Sequence, residues 1–141
     1  MTTEFNDSFI SGIDEIDRQH KDIFNAASML SDPNNDLDKI WIIFNQIEKY
    51  VTVHFETEEK YMKDHAYLYM SEHIEEHEKF FKNYRKLKCQ LEQNGLLMKF
   101  ISDVKDLINE WLTTHYNDAD IILINHIKQT SNIKCNKKDF A

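Results

Sequence analysis

Apolar positions recur along this chain at three- and four-residue steps, the period of an α-helix with one buried face. Over residues 14 to about 30 the inward stripe is Ile13, Ile16, His20, Ile23, Phe24 and Ala27. Asp14, Glu15 and Asp17 put negative charge at the positive end of that helix. Ser31-Asp32-Pro33-Asn34-Asn35 breaks the pattern. A second helix is predicted over about residues 37–64, through Ile40, Phe44, Ile47, Val51, His54, Glu58 and Met62. After a turn at residues 65–69, a third covers roughly residues 70–93, with His73, His77, Phe80, Phe81, Tyr84 and Leu87 inward. Asn94-Gly95 stops it, because both residues tolerate the left-handed conformation. The fourth runs from about residue 97 to 126 through Ile101, Val104, Ile108, Trp111, Leu112 and His115. Four amphipathic helices with short links predict an all-α fold, an up-down-up-down four-helix bundle over residues 14–129. An N-terminal arm, residues 1–13, is expected to pack on it through Phe5, Phe9 and Ile10, and residues 130–141 read as a frayed polar tail.

Composition agrees with few turns: the 141 residues hold two Gly and one Pro. The formal net charge of −8 disfavours nucleic acid and anionic membranes as partners. The longest apolar run, residues 40–44, is far short of a membrane span, and the first residues carry no secretory signal. Cys89 and Cys135 lack metal or redox spacing and read as reduced thiols of a cytoplasmic protein, Cys89 as a small core residue.

Seven residues change the picture: His20, His54, Glu58, His73, His77, His115 and Asp120. Each predicted helix supplies at least one, on or beside its apolar stripe. Residues four apart share a helix face, so His54 pairs with Glu58 and His73 with His77. Unpaired polar groups in a core cost roughly 1–3 kcal/mol each, so something must compensate for a cluster this size. A metal does so directly, since imidazole and carboxylate are ligands for iron and zinc. Two carboxylates suit bridging positions between two metals. Five imidazoles divide three and two, which leaves one metal open to a small molecule. His65 and His126 lack partners at matching spacing and read as surface or capping residues. His115 and Asp120 are five apart, about 140° around a regular helix. Asp118 would lie nearer the His115 face, and spacing alone does not choose between the two aspartates.

With these residues in place the sequence resembles the hemerythrin family, in particular its single-domain bacterial members. The resemblance is carried by His20 in DEIDRQHKDIF, His54 and Glu58 in HFETEE, His73 and His77 in HIEEH, and His115 and Asp120 in WLTTHYNDAD. It covers roughly residues 5–126. The resemblance implies two iron ions, one held by His73, His77 and His115, the other by His20 and His54. Glu58, Asp120 and an oxo or hydroxo ligand would bridge them, which selects Asp120 over Asp118. It implies reversible binding of molecular oxygen, held as hydroperoxide on the five-coordinate iron, in a pocket lined by Ile23, Phe55, Trp111 and Leu112. Two ferrous ions balanced by two carboxylates and a hydroxide would be nearly neutral, tolerable in an apolar core. Tyr116 departs from the aliphatic residue usual there and puts a phenol beside the pocket, able to donate to bound oxygen or to speed its loss. Ile121 stands where a lysine often follows the bridging aspartate, with little effect expected. The expected function is oxygen storage, delivery or scavenging by a monomer, not an enzyme. The competing reading is a di-iron enzyme or sensor acting on peroxide, nitric oxide or oxygen.

Overall fold

The computed structural model describes residues 10–95 and 98–139, without the side chains of 116–118 and 132–139. Phe5, Phe9, Tyr116, Asp118 and Cys135, named above as anchors, pocket, ligand or thiol candidates, therefore fall outside the described side chains. The described residues are all helical between short links, and none of their helices is long and apolar enough to cross a membrane. The elements are α1 (Asp14–Met29), α2 (Leu37–Asp64), α3 (Met70–Asn94), α4 (Met98–Glu110), a π-helical segment (Trp111–Asp120) and α5 (Ile121–Asp139).

Helix α1 packs on α2, α3 on α4 and on the π-helical segment, and α2 on both α3 and α5. The predicted stripes meet in one core around Phe24, Phe44, Phe55, Phe80, Tyr84, Val104 and Trp111. Ile13, Ala27, Phe81 and Ile101 flank that core, half-buried. Tyr84 stacks on Phe44 at 4.2 Å and donates to the Phe44 carbonyl oxygen at 2.6 Å, so a polar atom is satisfied deep in the core.

Local chemistry fixes the helix ends. The Asp36 carboxylate accepts from the Lys39 backbone N–H at 2.8 Å and caps α2. Replacing Asp36 with Ala is expected to lower unfolding stability by about 1 kcal/mol, read as a shift in the urea midpoint. At the start of α1, Asp17 reaches back to the backbone N–H groups of Ser11 and Gly12 at 2.8 and 3.2 Å. Gly12 holds φ at 86°, a left-handed value that favours glycine. His126 caps the other end of α2, donating to the His65 carbonyl oxygen at 2.6 Å, while the His65 ring pairs with the Thr130 hydroxyl.

Four expectations change. Ile10 is about half exposed and is no anchor; the buried residue of that segment is Ser11, pinned by Asp17. Cys89 is exposed, because it lies off the α3 stripe that Tyr84, Leu87 and Leu91 define. The fourth helix is not one regular helix, since residues 111–120 widen into π-helical turns. Beyond residue 126 the helix continues to Asp139, through the segment expected to fray.

Candidate metal centre

All seven predicted site residues are buried, none more than 7% exposed. Helix α1 supplies His20, α2 supplies His54 and Glu58, α3 supplies His73 and His77, and the π-helical segment supplies His115 and Asp120. That segment resolves the spacing problem. Its hydrogen bonds run from residue i to i+5, so residues five apart come to one side, as residues four apart do in an α-helix. His115 Nε2 accordingly lies 3.0 Å from Asp120 Oδ1.

Glu58 is the centre of the arrangement. Its Oε1 is 2.8 Å from His54 Nε2, and its Oε2 is 2.9 Å from the Nε2 atoms of both His73 and His77. Asp120 Oδ1 lies 3.0 Å from His73 Nε2 as well as from His115. His20 Nε2 faces His54 Nε2 at 3.0 Å. Two overlapping groups result, each with ligand atoms mutually within 4.8 Å: Glu58, His73, His77, His115 and Asp120; and His20, His54, Glu58 and Asp120. The two carboxylates are the residues common to both.

The hydrogen-bonding partners show what these groups lack. The Gln19 amide nitrogen donates to Thr57 Oγ1 at 2.9 Å, which turns Gln19 Oε1 toward His54 Nδ1, also at 2.9 Å. His54 therefore carries its proton on Nδ1, and a neutral ring points the Nε2 lone pair at the Glu58 carboxylate. His115 repeats the device: its Nδ1–H donates to Glu76 Oε2 at 2.5 Å, so Nε2 turns toward Asp120 as an acceptor. Neither His115 Nε2 nor either Asp120 carboxylate oxygen finds a hydrogen bond among the described residues, although all are buried. Acceptors face acceptors at 2.8–3.0 Å, and only a proton or a cation between them removes the repulsion. The donor set of imidazoles and carboxylates fits a borderline divalent metal such as iron or zinc.

Without a cation, protons fill these gaps. Burial alone would lower His73, but the Asp120 and Glu58 carboxylates beside its Nε2 raise it to about 10. Burial likewise opposes a charge on His115, and Asp120 outweighs it. Burial, with the His54 imidazole packed against it, lowers His20 to about 4. Burial pushes the Glu58 carboxyl up, yet the three imidazoles around it hold it well below its ordinary range. Asp120 is held low in the same way, by His115 and His73 against burial and the Glu58 charge.

A family model of the hemerythrin HHE cation-binding domain matches residues 11–127. The chain belongs to the hemerythrin family. Cation binding is thus the family property into which this chain's buried cluster fits. A comparison with curated proteins gave no match.

Of the residues expected to line an oxygen pocket, Phe55 stacks on His77 at 3.7 Å and 5°. Trp111 stands edge-on to His54 at 5.6 Å and lies nearly parallel to His115 at 5.9 Å. Ile23 and Leu112 are buried in the same core cluster. Sequence reasoning missed Gln19 and Glu76, which aim the rings. Each stands immediately before a cluster histidine, His20 or His77, and grips a cluster histidine of another helical segment. Partners of this kind change metal affinity by roughly 10–100-fold. Glu76→Ala is expected to weaken metal binding within that range, measured by competition with a chromophoric chelator. Unchanged affinity would show that Glu76 does not orient His115.

Proposed function

We propose that the cluster holds two iron ions bridged by Glu58, Asp120 and an oxo or hydroxo ligand, and that the chain binds molecular oxygen there reversibly. Storage, delivery or scavenging of oxygen is the outcome, without catalytic turnover. The supporting observation is the pair of ligand groups that have the two carboxylates in common. One group adds three imidazoles and the other two, so a small molecule has room to bind on the His20 and His54 side. When bound, the iron pair supplies the electrons that captured oxygen needs and takes them back on release.

The protein's own part is to orient and to exclude. Gln19 and Glu76 hold His54 and His115 with Nε2 turned inward. Phe55 and Trp111 pack against the cluster imidazoles, with Ile23 and Leu112 buried in the same core, and this apolar surface retards entry of water and loss of charged product. In this reading the helical columns run up-down-up-down, and the chain works as a monomer in the cytoplasm.

Anaerobic reduction followed by exposure to oxygen tests the proposal, with visible absorption and iron content followed together. Two irons per chain, and a charge-transfer colour that comes with oxygen and leaves under vacuum, is the expected result. A colour that decays once to a ferric product would replace the carrier with a di-iron enzyme or sensor.

A further inference from the structure

A cleft of about 230 Å³ opens beside the metal cluster, lined by residues of α3, α4 and the π-helical segment. Phe80, Leu107 and Trp111 line it with apolar surface, and His115 forms part of the same wall. The volume is small against the roughly 300–1,000 Å³ usual for ligand sites, which restricts an occupant to one or two rings. Two aromatic side chains in the lining favour a flat ring. The carboxylates of Glu76 and Glu110 outnumber the single ammonium of Lys79, which disfavours an anion and offers acceptors to hydroxyl hydrogens. An uncharged hydroxyaromatic meets all three conditions.

Position gives the cleft a role. The His115 imidazole lines it, held at Nδ1 by Glu76, with Nε2 turned into the cluster. A ring in the cleft therefore lies against an imidazole that faces the metals. An oxygen carrier that oxidises irreversibly is left two electrons short, and a donor must restore them.

We propose that this cleft docks a small dihydroxyaromatic reductant that returns electrons to the centre through His115. The proposal rests on the di-iron reading above. One such molecule gives up two electrons and two protons and becomes the quinone. The electrons reduce two ferric ions to two ferrous ions, and the protons leave to solvent through the open cleft.

The probe is 1,4-dihydroxynaphthalene under anaerobic conditions. The chain has two tryptophans, Trp41 and Trp111, and so two indole N–H resonances. In protein loaded with redox-silent zinc(II), titration is expected to shift the Trp111 resonance saturably and leave Trp41 in place. In the ferric, iron-loaded protein, the reduction rate is expected to level off as the probe is raised. Asn83 is exposed on α3 and lines the same cleft. Asn83→Phe, which fills it, is expected to abolish the Trp111 shift and slow reduction by the probe at least tenfold, with reduction by dithionite unchanged. No Trp111 shift, or a rate that rises linearly and equally in Asn83→Phe, overturns the proposal. Fewer than two irons per chain with the Trp111 shift intact fails the di-iron reading instead, and the electron role with it.

Discussion

Glu58→Ala is expected to leave fewer than two irons per chain after reconstitution, with helical circular dichroism retained. Glu58 gives one oxygen to His54 and the other to His73 and His77, at 2.8–2.9 Å, and belongs to both ligand groups. Its loss therefore weakens both metals, whereas loss of His20 or His77 removes one ligand from one metal. Three imidazoles would still converge on one side and two on the other, with Asp120 between them. One weakly held iron is the most that arrangement should retain. Two tightly bound irons in Glu58→Ala would contradict the assignment of Glu58 as the bridge.

The second large effect concerns pH and metal together. In the metal-free protein, His73 is raised to about 10 from an ordinary 6.5. A raised group contributes stability that is whole below 6.5 and is lost as pH climbs through the folded value. His20 runs the other way: lowered to about 4, it costs stability as pH falls below 6.5. Glu58 and Asp120, both lowered, add to that acid loss, because their contribution disappears when they are protonated. The urea midpoint of the metal-free protein should therefore peak near neutrality and decline toward pH 10 as well as toward pH 4. Metal replaces the His73 proton, so the alkaline decline should vanish on loading, and loading at pH 7 should release protons into a weak indicator buffer. A metal present at about a thousandfold its Kd adds roughly 4 kcal/mol, on the order of 10–20 °C in melting temperature. A metal-free midpoint that stays flat from pH 6.5 to 10 would show that the carboxylates do not hold a proton on His73.

Much of this molecule was legible because its helices are strongly two-faced. The α2 bounds, 37 and 64, agree between the periodic pattern and the structure, since Asp36 and the turn after Asp64 are local signals. The seven cluster residues could be picked out because histidine and carboxylate on an apolar stripe need an explanation. The π-helical segment was not legible. Its only trace was the awkward five-residue gap between His115 and Asp120, and spacing by itself left Asp118 equally open. Gln19 and Glu76 were hidden for another reason: a polar residue beside the stripe looks like ordinary solvated surface until its partner helix is placed. Cys89 misled because a small thiol suits a core by composition, whereas its angular position sets its exposure.

The wide turns between residues 111 and 120 also carry a phase. In a uniform α-helix, Asp120 would sit about 140° around from His115. Leu123 and Ile127, which follow Asp120 by three and seven residues, would swing away with it. Instead both are buried, in a small cluster with Met62 and Tyr67 of α2 and the turn after it. One backbone adjustment therefore serves the last carboxylate of the metal site and the docking of the C-terminal helix alike. Straightening that stretch would withdraw a ligand and undock α5 in a single motion, so release of the metal and loosening of the chain's end are two views of one event.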